Sequence, residues 1–199
     1  MATTHALAGA AIAAAVALVA PEFAVAAFLG GVVGGAFPDL DLYRDHRRKL
    51  HFPTYYTVGA AATTGLALLV PTAVTVGLAV ALMAAAFHAR LDRYGGGLEL
   101  RPWRGTSRRA VYDHARGRWY RPKRWVRYDG SPEDLLLATA FAAPGLLVFE
   151  GALASVIAAG LAVSMLYVVV RKELPTLAER IAARLPPTVR ARIPERFLS

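Results

Sequence analysis

The distribution of basic residues constrains the fold of this chain more than any other feature of its sequence. Lysine and arginine are absent from residues 1–43, 50–89 and 128–170, so all 23 of them lie in the segments between and after these. The segments without basic residues are apolar, and 56% of the whole chain is hydrophobic. This alternation is typical of membrane proteins, in which basic residues collect in loops on the cytoplasmic side. We therefore expect a helical bundle in a membrane.

Turn-forming residues divide the apolar segments into about six predicted helices. They cover residues 5–20, 22–37, 54–69, 72–92, 133–149 and 151–170. The connections at Pro21, Pro71 and Gly151 are short and carry no basic residue. Six crossings would place every basic segment and both termini on one side, which the positive-inside rule makes the cytoplasm. The sequence therefore predicts an all-α, polytopic membrane helical bundle that forms a single domain over residues 1–199.

Helix length leaves an alternative open. The first predicted helices have about 16 residues and would measure about 24 Å, whereas the hydrocarbon core of a bilayer is about 30 Å thick. These segments are also rich in alanine rather than leucine. A shallow or partly soluble helical bundle is therefore the alternative to six full crossings.

Carboxylate and imidazole groups are concentrated in residues 38–51, between two apolar segments. They belong to Asp39, Asp41, Asp45, His46 and His51. Such groups are costly to bury beside a membrane unless they are paired or hold a metal. Pro38 disfavours helix at the residue before it, so a loop should begin here. In an extended loop, Asp39 and Asp41 would point the same way and could converge on one centre.

Two other places along the chain bring similar side chains to the same predicted membrane face. His5 lies in the first turn of the first helix, while His88 and Asp92 lie near the end of the fourth. A spacing of four residues puts His88 and Asp92 on one helical face, where they can bind one ion together. An isolated pair would be an ordinary polar pair at a helix end, but the predicted topology brings this one to the acidic loop.

The residue types available favour a metal site built from imidazoles and carboxylates. The chain has no cysteine, which excludes a thiolate site. Histidine with carboxylate suits a divalent ion, here most simply Zn, with Mn or Fe as alternatives. The predicted ligands, sufficient for one metal or two, are His5, Asp39, Asp41, His46, His51, His88 and Asp92. Asp39 or His46 is alternatively the general base, and Arg47 is the candidate for holding an anionic substrate.

Residues 93–130 form a predicted polar insert that is strongly basic. Aromatic residues are interleaved with its arginines, namely Trp103, Tyr112, Trp119, Tyr120, Trp125 and Tyr128. This mixture suits anionic lipid headgroups at the membrane interface, and it also suits single-stranded nucleic acid. Positive-inside topology alone is an equally good explanation of the charge. The alternating residues Trp119, Arg121, Trp125 and Arg127 predict a small hairpin. Asp113 with His114 is a further candidate metal or acid–base pair.

The C-terminal tail, residues 174–199, is predicted to begin as an amphipathic helix. Its apolar residues at helical spacing are Leu174, Leu177, Ile181 and Leu185. Arg180 and Arg184 lie opposite this apolar face, an arrangement typical of helices that lie at a membrane interface.

With these motifs in place, the chain resembles the YdjM-like family of membrane-bound, metal-dependent hydrolases. The resemblance covers residues 5–103. Its first elements are His5 and a Pro-Asp-x-Asp turn at Pro38, Asp39 and Asp41. A His-Arg-x-x-x-His motif follows at His46, Arg47 and His51. The last elements are His-x-x-x-Asp at His88 and Asp92 and a Gly-x-x-Leu-x-Pro-like element at Gly97, Leu100 and Pro102. Family members usually have Thr before and Ser after the second histidine of the central motif, where this chain has Leu50 and Phe52.

The resemblance implies a mostly helical membrane protein, related to the zinc-dependent phospholipase C and single-strand nuclease superfamily. We therefore expect a metal-dependent hydrolase that acts on phosphoester or phospholipid substrates at the cytoplasmic membrane surface. The alternative is a non-catalytic membrane protein with a structural metal site, whose basic insert binds a partner, anionic lipid or nucleic acid. A catalytic site keeps an open coordination position and a structural one is closed, a difference that the sequence does not show.

Overall fold

Six long helices dominate the computed structural model, which describes residues 1–43 and 45–193, apart from the side chain of Tyr43. They are α1 (Ala2–Val19), α2 (Ala24–Ala36), α3 (Pro53–Leu69), α4 (Ala73–Leu91), α5 (Pro132–Val148) and α6 (Gly151–Val170). Helix α7 (Leu174–Arg184) and the short α8 (Pro187–Arg190) follow. The predicted all-α class is confirmed. The end of the predicted tail, residues 194–199, lies outside the described residues.

Within the described residues, four segments are long and apolar enough to cross a membrane. They are Ala2–Val19, Pro21–Leu42, Ala73–Tyr94 and Gly151–Val170. The second segment is helix α2 together with the 3-10 turns that flank it, Pro21–Phe23 and Phe37–Tyr43. These segments fit a membrane protein. Helices α3 and α5 have 17 residues each, so six crossings stay a prediction.

Helix α1 lies at the centre of the bundle and contacts α2, α4, α5 and α6. Its buried residues are mostly alanine, including Ala10, Ala13 and Ala14. Small side chains let neighbouring helices approach closely, which favours packing where lipid removes the hydrophobic driving force. Larger side chains, such as Phe28 and Ile157, complete the apolar core around α1.

Glycines of α2 bring its backbone against two neighbouring helices. A side chain at Gly30 would clash with the Gly77 carbonyl group of α4, and one at Gly35 would clash with the His5 carbonyl group of α1. Only residues without a Cβ allow these contacts at the present spacing. Helix α2 therefore holds α1 and α4 together near the end of the bundle that carries His5.

Large apolar side chains cover the outer surface of the bundle. On α6, Val163, Leu166 and Val169 are exposed, and on α3 so are Leu68 and Leu69. Soluble monomers seldom expose apolar surface on this scale. The exposed faces are therefore suited to contact with lipid.

Polar contacts gather the starts of α1 and α5 and the end of α6 at one end of the bundle. Thr4 of α1 donates a hydrogen bond to Asp134 of α5 at 2.6 Å. The Ser164 hydroxyl group of α6 donates a hydrogen bond to the Thr3 hydroxyl oxygen of α1 at 2.7 Å. Ser131 caps the start of helix α5 by accepting a hydrogen bond from the Asp134 amide group.

Residues 93–130 pack over this polar end with little regular structure. Two short antiparallel strands, β1 (Tyr112–Asp113) and β2 (Arg118–Trp119), form a hairpin in which Tyr112 pairs with Trp119. The hairpin predicted from Trp119, Arg121, Trp125 and Arg127 is therefore wrong in position, because Trp119 pairs with the preceding strand and residues 120–127 form no strand. Arg101 also reaches α7, where its guanidinium group donates two hydrogen bonds to Glu179 at 2.6 and 2.7 Å.

Candidate metal centre

Asp39, His51, His88 and Asp92 converge at the polar end of the bundle, with one ligand-type atom from each within 4.8 Å of all the others. Asp39 comes from the 3-10 turn after α2, His51 from the loop before α3, and His88 from α4. Asp92 directly follows α4. The Asp39 side chain is 20% exposed, whereas the other three are at most 1% exposed. We refer to these four residues as the ligand group.

Hydrogen bonds on the far side of each ring fix the orientation of the two histidines. His51 donates from Nδ1 to Asp41 at 3.0 Å, and His88 donates from Nδ1 to the Gly35 carbonyl oxygen at 2.6 Å. A carboxylate or a carbonyl oxygen can only accept, so each Nδ1 carries a proton, and the neutral form of each ring has its lone pair on Nε2. Bonds of this kind commonly orient the histidines of metal sites.

Four distances within the ligand group are close to those between the ligands of a single ion, while that from His51 Nε2 to Asp39 Oδ1 is longer, at 3.8 Å. The two Nε2 atoms of His51 and His88 are 3.1 Å apart, and that of His51 lies 3.1 Å from Asp92 Oδ2. His88 Nε2 lies 3.4 Å from Asp39 Oδ1 and 3.6 Å from Asp92 Oδ2. Ligands about 2.0–2.1 Å from a tetrahedral zinc ion are about 3.3–3.4 Å apart.

The chemistry of the ligand group also fits a cation. In the neutral form of both rings, two imidazole lone pairs and two carboxylate oxygens are all electron-pair donors, and burying them face to face is costly unless a positive charge, from an ion or from ring protons, lies among them. The residues present therefore can hold a divalent ion. A donor set of two nitrogens and two oxygens suits Zn, and it also suits Mn or Fe.

Asp41, a predicted ligand, lies behind His51 and outside the ligand group. Its two oxygens accept hydrogen bonds from His51 Nδ1 and, at 2.9 Å, from His46 Nδ1. The extended loop that would align Asp39 with Asp41 is not formed, because Phe37–Tyr43 is a 3-10 turn. In this turn Asp39 faces the two Nε2 atoms, while Asp41 supports the histidines.

His5 lies beside the ligand group, as expected from its place at the start of α1. Its ring centroid is 3.7 Å from that of His88, and its Nε2 is 3.7 Å from Asp92 Oδ1. The His5 side chain is buried, and neither of its ring nitrogens has a hydrogen-bond partner in the part of the chain that the structure describes. Such buried polar atoms are uncommon and call for a ligand or a bound water.

Arg47 provides positive charge next to the ligand group. Its Nε lies 3.2 Å from Asp92 Oδ2, and its Nη1 donates a hydrogen bond to the Gly96 carbonyl oxygen at 2.8 Å. The backbone of Arg47 is left-handed, with φ of 61°, a conformation that costs energy outside glycine. The loop thus bends sharply to bring this guanidinium group to Asp92.

His46 and His51 titrate differently although both donate to Asp41. Burial acts to lower the pKa of His51, but its hydrogen bonds with Asp41 and Asp92 prevail and raise this pKa above the ordinary value. For His46, burial prevails over the Asp41 hydrogen bond and lowers the pKa. His46 is therefore neutral at pH 7, with the lone pair on Nε2.

A cavity of about 400 Å³ adjoins the ligand group. Its polar wall includes Asp39, His46, Arg47 and Asp92, and its apolar wall includes Leu42, Leu98, Leu100 and Val163. This volume falls within the range of about 300–1,000 Å³ that is usual for small-molecule sites. The cavity connects two residues of the ligand group with an apolar surface.

Asp113 and His114, the further candidate pair, lie apart from the ligand group. Asp113 accepts hydrogen bonds from Thr54 of α3 at 3.2 Å and from Tyr120 at 2.7 Å. His114 packs against Phe52. Among the described residues, neither belongs to a cluster that can hold a metal. Asp113 instead anchors the hairpin to α3.

The sequence does not indicate that Gly35 and Asp129 contribute contacts near the site. Gly35 supplies the carbonyl group that orients His88, and the paired glycines of α2 are the signal that could have indicated a close helix contact. Asp129 accepts hydrogen bonds from Arg171 at 3.0 and 3.1 Å, which joins residues 93–130 to the end of α6. This last contact has no local signature in the sequence.

No protein-family model, no curated protein and no solved structure matches the chain in comparisons with known proteins.

Proposed function

We propose that the protein is a membrane-embedded, metal-dependent hydrolase of phosphoesters, in which the ligand group holds a divalent ion. The observation that carries the proposal is that a cavity of about 400 Å³ reaches the ligand group at Asp39 and Asp92. A catalytic ion needs a position open to substrate, and such access would be unnecessary for a purely structural ion. The resemblance to membrane-bound hydrolases supports the same function.

The residues around the cavity have complementary roles in this proposal. An ion held by the ligand group would supply Lewis acidity, which would polarise a phosphoryl oxygen and lower the pKa of bound water. Arg47 binds the anionic phosphoryl group, since its guanidinium group lines the cavity beside Asp92. His46 accepts a proton at Nε2, because Asp41 holds its Nδ1 proton and burial lowers its pKa.

His5 is proposed as a ligand of a second ion that would share Asp92. Its Nε2 faces Asp92 Oδ1, while Asp92 Oδ2 faces His51. Two-metal sites occur in phosphatases and nucleases, where two ions would together stabilise the attacking and leaving oxygens. Metal content of about two ions per chain, reduced to one by His5→Ala, is the expected result.

The apolar wall of the cavity supports an amphiphilic substrate. Leu42 and Val163 line the cavity and are also exposed on the outer surface of the bundle. A phospholipid could place its phosphate near Arg47 and its acyl chains along these side chains. We further propose that this end of the bundle faces the cytoplasm, because the basic residues cluster in the segments that adjoin it.

A structural ion is the alternative, and the near-complete burial of three of the four residues favours it. The ligand group joins the turn after α2, the loop before α3 and the end of α4. An ion there would hold these segments together without any chemistry. Measuring metal content and hydrolysis on the same purified protein separates the two functions.

The test uses protein purified in detergent, with metal measured by mass spectrometry. Hydrolysis is measured with p-nitrophenyl phosphate, bis-p-nitrophenyl phosphate and phospholipid micelles. His88→Ala and Asp92→Ala should each remove metal and activity, while Asp45→Ala, an exposed carboxylate of the same loop, should change neither. His46→Ala should keep the metal and lower kcat by about 10²–10⁴-fold.

Each outcome decides between the alternatives. Stoichiometric metal without hydrolysis of any of these substrates would favour the structural ion. The proposal would be contradicted if the native protein bound no divalent ion and the His88→Ala variant kept full activity. Circular dichroism shows whether the helices of each variant are intact. If substitution in this loop were itself enough to unfold them, Asp45→Ala would also lose helical circular dichroism.

A further inference from the structure

A second cavity, of about 180 Å³, lies between the start of α3 and the end of α4. It shares no lining residue with the cavity at the metal centre. Pro53 and Thr54 contribute one side, at the first turn of α3. The other sides come from Arg90, Arg93, Arg116, Tyr120 and their neighbours.

The three arginines of this cavity make it strongly positive. Asp113 is the carboxylate that contacts them, through an ion pair with Arg116 at 3.1 Å. Three guanidinium groups against one carboxylate leave an excess of two positive charges. Arg93 stacks on the Tyr120 ring at 4.6 Å, and its buried Nε has no hydrogen-bond partner within the described residues. The cavity therefore carries more positive charge than the Asp113 carboxylate neutralises.

The backbone of α3 adds to the positive potential. Thr54 lies in the first turn of this 17-residue helix, whose N-cap residue, Phe52, provides no side-chain cap. The first amide groups of a helix point outward and carry partial positive charge, which favours anions. The Thr54 hydroxyl group is already used as a donor to Asp113, so it helps to position the carboxylate rather than to bind the ligand.

We propose that this cavity binds a phosphate group. Guanidinium groups match the geometry of phosphate oxygens and bind them with charge-assisted hydrogen bonds. A volume of about 180 Å³ is below the range of about 300–1,000 Å³ for drug-sized ligands, so the cavity takes a phosphate group and not a whole nucleotide. The phosphate can belong to a lipid headgroup, because Arg90 lies at the end of an apolar segment, or it can be free in solution.

The test removes two positive charges from the cavity and compares this with the same loss elsewhere. The variant is Arg90→Gln with Arg93→Gln, and its control is Arg108→Gln with Arg109→Gln, a pair of exposed arginines in residues 93–130. Binding of inorganic phosphate to the purified protein is measured by calorimetry. Retention of phosphatidic acid, with phosphatidylcholine as reference, is measured by native mass spectrometry. None of these four arginines lines the cavity at the metal centre, so phosphate held there should be bound equally by both variants.

Phosphate binding by the cavity variant should be weaker by about tenfold or more, because the variant loses charged hydrogen bonds to the phosphate. Binding by the control variant should change by less than about twofold. Weaker binding of inorganic phosphate identifies a site for free phosphate, and weaker retention of phosphatidic acid alone identifies a lipid site. Equal losses in both variants would overturn the proposal in favour of general charge attraction, as would absence of any binding to the native protein. Arg90→Gln alone keeps the test valid if Arg93→Gln prevents folding, because Arg90 is exposed.

Discussion

At the scale of single residues, the candidate site depends on side chains that do not face its centre. Asp41 and the Gly35 carbonyl group hold the Nδ1 atoms of His51 and His88, which turns both Nε2 atoms inward. The sequence indicates that Asp39 and Asp41 belong to one site, but not which of the two faces the ion. The residue that faces the ion is decided by the 3-10 backbone of the turn, which the sequence does not predict. The shared face of His88 and Asp92 follows from ordinary helix geometry and could be predicted.

Asp41→Asn tests whether this support matters. The amide cannot replace the carboxylate as an acceptor for two imidazoles, so His51 should lose its fixed orientation. We expect metal affinity to fall by about 10–100-fold, measured by competition with a chromogenic chelator. Asp45→Asn, an exposed carboxylate in the same loop, is the control and should bind metal normally. Equal affinity in both variants would show that Asp41 does not support the site.

At the scale of secondary-structure elements, close helix packing positions the site. Helix α2 carries Gly35 against the His5 backbone of α1, and the same residue bonds to His88 of α4. Apolar composition is sufficient to predict that these helices exist. It does not predict which faces meet, because alanine and glycine occur all around α1 and α2 and leave little periodicity to read.

Gly35→Ala should therefore damage both packing and the metal centre. The added methyl group would clash with the His5 carbonyl oxygen, and overpacking of this kind costs about 1–3 kcal/mol of the free energy of unfolding. Gly65→Ala, on α3, is the matched control, since its methyl group would meet no atom within 4 Å and alanine favours helix by up to about 1 kcal/mol. Thermal unfolding in detergent compares the two, and a Gly35→Ala protein as stable as Gly65→Ala would contradict the packing described here.

The contact between Asp129 and Arg171 should make stability depend on pH. Burial acts to raise the pKa of Asp129, but nearby positive charges, Arg171 among them, prevail and hold this pKa below its ordinary value. A carboxylate with a lowered pKa in the folded state stabilises the protein above its unfolded pKa of about 3.9, and this contribution is lost as the pH falls through the lower, folded value.

Asp129→Asn should lower the free energy of unfolding by about 1–3 kcal/mol at pH 7, because it breaks a charged hydrogen-bonded pair. The difference from the native protein should shrink once the pH is below about 4. The control is Glu133→Gln, which removes a more exposed ion pair with Arg127, one expected to contribute about 0–1 kcal/mol. A difference that does not change between neutral and acid pH would exclude titration of Asp129 as its cause.

At the scale of the whole molecule, charge segregation was the most informative sequence feature. It predicted long helices that return ligand-type residues to one end, and the structure has His5, Asp39, His51 and His88 at one end. The arrangement of residues 93–130 could not be predicted in the same way. Its few regular contacts join residues far apart in sequence, such as Arg101 with Glu179, which no local pattern specifies.

Six crossings require that the short connections lie opposite the basic segments. Reporter fusions after Glu22, Pro71 and Gly151 should all report one side of the membrane, and a fusion after Gly105 should report the other, cytoplasmic side. The physical reason is that basic residues oppose translocation across the membrane. Gly105 and Pro71 on the same side would exclude the six-crossing topology. Glu22 and Pro71 on opposite sides, with Gly105 on the same side as Gly151, would favour the four crossings that helix length alone supports.

The ligand group lies entirely within residues 39–92, whereas the cavity walls also include Leu98, Leu100, Val163 and Tyr167. A ribosome makes the chain from its N-terminus, so the whole ligand group is synthesised before these wall residues exist. During this interval α6 cannot block access to the ligand group. The order of the sequence therefore allows an ion to reach these residues before the cavity is closed.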